Sequence, residues 1–162
     1  MIGRLVLALS AANMLVVSAN AEVGKRYLNA RFVYGITIPA GFGPIREADN
    51  GDGGHSISKL GHADLAVWGS NIMEGSFQDE AATRRTDDER DGWRIVYSRN
   101  APDFAVLSGT RGERIVYQRA IPACPEQVAF FRLEYDASAK QAMDPVIRGL
   151  TKSFKRVQGC DR

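Results

Sequence analysis

The residues whose types could do chemistry fall in a few places. His55, His62 and Asp64 lie close together and have the composition of a small metal site. The two histidines are seven apart, so on an extended strand they point to opposite faces, unless a turn at Gly61 brings them back. The set reads first as solvent-exposed hairpin histidines and second as metal ligands. Asp87, Asp88, Glu89 and Asp91 form a run of carboxylates. Paired acids catalyse glycoside hydrolysis only across a cleft with one pKa raised, whereas a run on a polar helix end is ordinarily solvated. Asp49-Asn50-Gly51-Asp52-Gly53-Gly54 looks like a calcium loop, but Gly51 and Gly53 stand where an EF-hand needs oxygen ligands, so it reads as a β-turn. Ser108 in Leu107-Ser108-Gly109 ends a strand, and the sequence holds no G-x-S-x-G, no H-E-x-x-H and no phosphate-cradling glycine loop. No catalytic, cofactor-binding or metal residue is assigned, and no cofactor is expected.

Cys124 and Cys160 are the two cysteines. They are too far apart for a C-x-x-C pair, and in an exported chain they read as one disulfide. Export is expected from residues 1–21: a start carrying Arg4, an apolar run to Val17, and Ala19-Asn20-Ala21 as an A-x-A cleavage pattern. The apolar run is too short to span a bilayer, so no membrane span is expected once the leader is removed. Cleavage takes Arg4 and no acid, so 21 basic against 19 acidic residues becomes 20 against 19, a mature net charge of +1. That balance, with bases and acids interleaved as in Arg84-Arg85-Thr86-Asp87-Asp88-Glu89-Arg90, disfavours nucleic acid as a partner. Residues 22–162 read as one domain.

The elements that position these residues centre on residues 93–135. Four apolar runs there, WRIVYS, DFAVLSG, ERIVYQRAI and QVAFFRLEY, are separated by Gly, Pro, Asn or Asp. The connections are too short for parallel crossovers, so the runs must pair as an antiparallel meander. Upstream, residues 22–30 read as a polar lead-in and residues 31–38 as a first strand, with Phe32, Tyr34, Ile36 and Ile38 on one face. Residues 42–54 read as a loop, and residues 55–60 and 64–69 as a hairpin. In that hairpin Leu65 and Val67 share one face, and Ala66 and Trp68 the other. Residues 76–90 read as an outer helix with Ser76 as N-cap. Residues 138–143 read as a helical turn, followed by a last helix that Asp144 caps, with Pro145 at its first position and Val146, Ile147, Leu150 and Phe154 along one stripe. The fold class is α+β: an antiparallel sheet of about six or seven strands covered by helices.

Two stretches carry a resemblance. YLNARFVYGITIPA at residues 27–40 resembles the opening of small exported proteins similar to the photosystem II extrinsic subunit PsbP, where an aromatic-rich strand ends at Pro. The stretch from Pro145-Val146-Ile147 to Ser153-Phe154 resembles that family's last helix. The resemblance implies a PsbP-like α/β/α sandwich, a scaffold used for binding and assembly in bacterial envelopes and thylakoid lumens. It carries over no catalytic residue, and no ligand cluster here matches the photosynthetic members' work with manganese and calcium.

The expected function is that of a non-catalytic binding or assembly module in the periplasm, with a protein partner in the envelope. The alternatives are an inhibitor or immunity protein against a secreted hydrolase, and a hydrolase without a recognised motif.

Overall fold

The computed structural model of the chain describes residues 24–157, 159 and 160; the expected leader lies outside them. A hairpin of β1 (Lys25–Asn29) and β2 (Tyr34–Ile38) comes first. A two-residue strand β3 (Arg46–Glu47) precedes a second hairpin of β4 (Gly53–Ser58) and β5 (Ala63–Asn71), turned by one 3-10 turn at Leu60–His62. Helix α1 (Phe77–Arg90) leads into the meander β6 (Arg94–Asn100), β7 (Ala105–Arg111), β8 (Arg114–Pro122) and β9 (Gln127–Asp136). Helix α2 (Lys140–Ser153) and the two-residue strand β10 (Lys155–Arg156) close the described chain.

The strands form two sheets. Seven make an antiparallel sheet in the order β3-β4-β5-β9-β8-β7-β6, and β1-β2-β10 make a separate small one. The meander therefore supplies one half of the large sheet in chain order, and the β4–β5 hairpin docks on its free side through β9. Twofold alternation then assigns the faces. Leu65, Val67, Ala129, Phe131, Leu133 and Tyr135 pack with Met143, Leu150 and Phe154 of the α2 segment, and β2 closes this core with Tyr34, Ile36 and Ile38. The opposite face sets Ala105, Ala120, Val128 and Phe130 against Phe77 and Ala81 of α1, with Trp68 packed beside them. The layers run α1, large sheet, then α2 with the small sheet.

The sequence expectations differ from the structure in the lead-in, in the start of the next strand, in the last helix, and in the expected loop 42–54, which contains β3 and the first residues of β4. The lead-in is a strand: β1 pairs along the whole of β2, from Lys25 against Ile38 to Asn29 against Tyr34. Its turn contains neither Gly nor Pro. The Asn29 side chain accepts from the Phe32 N–H at 2.9 Å instead, and Val33 takes a left-handed φ of 44°. Phe32 consequently sits in the turn, with its ring against the backbone of Gly69; a Cβ there would lie 2.1 Å from the ring. The last helix begins at Lys140, so Asp144 does not cap it and Pro145 lies inside it. Burying Met143 with Leu150 needs the earlier turn, which outweighs the one hydrogen bond that Pro145 cannot donate.

Ser76 caps α1 as expected, in a reciprocal capping box with Asp79. The disulfide is also present: Cys124 in the β8–β9 turn is bonded to Cys160, with Cα atoms 5.4 Å apart. The bridge ties the tail to the end of the two central strands and not to an edge of the sheet. The tail is fixed there twice, because Arg156 also donates to the Ala123 carbonyl at 3.1 Å.

A covalent loop with a sequence separation of 36 should remove about 4 kcal/mol of chain entropy from the unfolded state at most. Cys124→Ser should therefore lower stability in urea by about 2–4 kcal/mol with the same fold. Amide exchange should rise first in β10 and the last turn of α2, ahead of the meander. Unchanged exchange there, or two titratable thiols in the oxidised protein, would remove the clamp.

Candidate binding site

The turn at Gly61, with φ of 63°, does redirect the chain, and His62 follows it with φ of 43°. It brings His62 and Asp64 together around an arginine. Arg114 pairs with Asp136 at 2.9 Å and with Asp64 at 3.1 Å, and His62 Nδ1 meets the other Asp136 oxygen at 2.5 Å. A guanidinium thus occupies the centre that a metal would need. His55 stays out on β4, exposed and opposite Ala66 and Arg46. Among the described residues no three His, Cys, Asp or Glu side chains converge to hold a metal ion.

A different cluster forms beneath the C-terminal half of α1. Phe77, Ala81, Arg84 and Asp88 recur at helical spacing and line the face turned to the sheet. The first two are apolar and the last two charged, so this end of the helix stands over a polar floor. That floor is β9, where Arg132 and Glu134 interrupt the apolar row begun by Val128 and Phe130. Arg132 is only partly exposed there, its side chain 17% accessible. Its Nη1 donates to Asp88 Oδ1 at 2.7 Å and to Gln118 Oε1 at 3.3 Å, and its Nε donates to Glu134 at 2.7 Å. Asp88 is 7% exposed.

Aromatic faces complete the walls. Trp93, buried, carries the Arg132 guanidinium 5.3 Å and the Arg111 guanidinium 4.4 Å from its ring centre. Trp68, half-buried, stacks on Phe130 at 4.9 Å. Together these groups line an open cleft of about 370 Å³, within the roughly 300–1,000 Å³ of small-ligand sites. Burial pushes the Asp88 carboxyl above its ordinary value, and Arg132 pulls it back only part of the way. Its second oxygen, Oδ2, is buried and has no hydrogen-bond partner.

Of this cluster, the sequence singled out Asp88 as one acid in a run. Trp68 and Trp93 read only as strand residues, and Arg132 and Gln118 carry no site reading in the sequence. A usable signal was present: charges at 132 and 134 fall on one face of an otherwise apolar strand, and such a face needs a neutralising partner from a covering element.

No family model matches the sequence, and no curated protein matches it. Solved structures match the fold. The solution structure of cyanobacterial PsbP (CyanoP) from Synechocystis sp. PCC 6803 superposes with a TM-score of 0.61 at 13% identity, covering 91% of this chain and 97% of that one. The crystal structure of the Ran-binding protein Mog1p from Saccharomyces cerevisiae superposes with a TM-score of 0.60 at 10% identity, covering 83% and 96% respectively. The fold is PsbP-like, an α+β sandwich, and likeness at these identities is a likeness of fold. Among the described residues no helix is long and apolar enough to cross a membrane.

The two arginine clusters should respond to acid with opposite signs. Asp136 is held below its ordinary value by hydrogen bonds from Arg114 and then His62, so it adds stability above about pH 4 that is lost as pH falls through the lowered value. Asp88 is raised, so the folded state binds its proton more readily and gains stability as pH falls through the raised value. In urea titrations at several pH values below neutrality, the advantage of wild type over Asp136→Asn should shrink on acidification, and its advantage over Asp88→Asn should grow. Both differences moving the same way would contradict these environments.

Proposed function

We propose that this chain is a non-catalytic binding module of the bacterial envelope, exported to the periplasm by residues 1–21 and engaging a protein partner through the cleft beneath α1. The observation that carries the reading is the pair of buried Asp88 and largely covered Arg132 under an open cleft. A buried ion pair is a weak stabiliser, because desolvating both charges costs about as much as their attraction returns, and apolar residues often serve a core better. At the base of a cleft with aromatic walls, such a pair also offers a partner the desolvated charge and the aromatic surface that binding hot spots use. One of the solved structures that share the fold is named a Ran-binding protein, and that supports a partner that is itself a protein. The leader and the disulfide support an oxidising compartment outside the cytoplasm.

Two outcomes are expected. Mass spectrometry of protein recovered from the periplasm should give a mature chain beginning at Glu22; residues 1–21 retained in a membrane fraction would end the export assignment. Immobilised protein should retain a partner from periplasmic extract of the native host, and Trp68→Ala and Asp91→Lys, at the cleft wall and rim, should lower that retention by about tenfold. Equal retention by wild type and both variants, or none by wild type, would remove the reading.

A further inference from the structure

The charges that line the cleft do not balance. Arg84, Arg111 and Arg132 face Asp87, Asp88, Asp91 and Glu134, three cations against four anions. Partners just outside leave the difference unchanged, since Arg84 pairs with Glu80 at 3.0 Å and Asp87 with Arg90 at 2.9 Å. One negative charge remains over, and one acceptor has no donor: Asp88 Oδ2, on a side chain only 9% exposed. An unmet buried acceptor costs about 1–3 kcal/mol, and more when charged. A donor arriving with a positive charge would relieve both at once.

Chemistry narrows the donor. A metal ion is disfavoured, because the carboxylates do not converge as a metal group and Arg132 stands between Asp88 and Glu134. An anion would meet the excess negative charge. A flat or compact organic cation fits the whole wall, with N–H groups for Asp88 Oδ2 and an apolar or planar body for Trp68, which is stacked by one face on Phe130.

Resting on the binding-module reading, we infer that the cleft beneath α1 receives an arginine or lysine side chain of a partner polypeptide, with Asp88 Oδ2 as its buried acceptor and Trp68 as its stacking wall. Arg132 is then a positioning residue. It holds Asp88 by Oδ1 and leaves Oδ2 without a partner; Oδ2 is covered in the free protein, so the guest meets it as the polar attachment of α1 adjusts, and Glu134 adds a second carboxylate at the rim.

The two tryptophans of the chain, Trp68 and Trp93, both line the cleft, so their indole N–H resonances report directly on its occupancy. The probe is N-acetyl-arginine methylamide, with the citrulline analogue as an uncharged control of nearly the same shape. Both indole resonances should shift saturably with the arginine probe, and citrulline should bind about tenfold more weakly or worse. Asp88→Asn should weaken the arginine probe by about tenfold, and Glu134→Gln by a smaller factor, each with an otherwise native amide spectrum. Citrulline binding as well as arginine, both variants binding the arginine probe like wild type, or no saturable shift would overturn the inference. If Asp88→Asn does not fold, Glu134→Gln and the citrulline comparison on wild type decide alone. A partner retained from extract while the arginine probe fails would remove the cationic guest and leave the binding module standing. A saturable probe with no partner retained would do the reverse.

Discussion

Arg132 lies in a strand that is paired on both edges and covered over most of both faces. β9 runs between β5 and β8, and its neighbours in sequence, Val128, Ala129, Phe130, Phe131 and Leu133, are fully buried on alternating faces. A guanidinium at that position costs several kcal/mol of desolvation unless a counter-charge is brought to it. The covering helix supplies that counter-charge in Asp88, and doing so fixes both the rotation of α1 about its axis and its position along the sheet. Trp93 follows from the same placement, because its N–H donates to the Asp88 carbonyl at 2.9 Å and its ring then lies against Arg132. One buried charge thus determines the helix, the tryptophan after it and the entry to the meander.

The two faces of the large sheet are held by different physics. The α2 face is apolar: Phe131 meets Phe154 edge-on at 5.2 Å and Tyr117 at 5.8 Å, while the small sheet and the disulfide-bonded tail cover the rim. The α1 face has Phe77 as the one buried apolar side chain of its helix, with Ala81 partly buried beside it, and the C-terminal half of the attachment is polar. Few apolar contacts and many polar ones mark an element whose local opening costs less than global unfolding. A recognition cleft under α1 can therefore adjust to a guest without disturbing the core that α2 closes.

Much of this was legible in the sequence, because periodicity and punctuation agreed. The four runs of the meander alternate or stay apolar and are separated by turn residues, and each became a strand in the expected order. β1 was not legible: its turn replaces the usual Gly with an Asn29 side-chain hydrogen bond and a left-handed valine, neither of which composition reveals. The start of α2 was hidden by Asp144-Pro145, a strong cap signal overridden by the packing of Met143. The cleft was illegible for another reason. Its central contact joins residues 44 apart, and nothing local to Asp88 distinguishes it from Asp87 or Asp91 except the helical phase that turns it to the sheet.

The α1 face of the sheet grades from apolar to charged, rung by rung. Trp68, Phe130 and Ala120 lie side by side, then Ala66, Arg132 and Gln118, then Asp64, Glu134 and Val116, and finally Asp136 beside Arg114. Two arginine–carboxylate clusters fall on this ladder, with similar groups at similar distances, yet their carboxyls shift in opposite directions. The difference is cover. Near Asp136 the exposed His62 and Asp64 leave the charges to solvent, where hydrogen bonds dominate and the pairs are screened. At Asp88 the helix excludes water, so desolvation outweighs the same kind of pairing. Only a charge in the second environment distinguishes strongly between a guest that carries the complementary charge and an isostere that does not. The discriminating end of this surface is therefore the covered rung beneath α1, and the open cluster at Arg114 serves to fasten the hairpin turn to the end of β9.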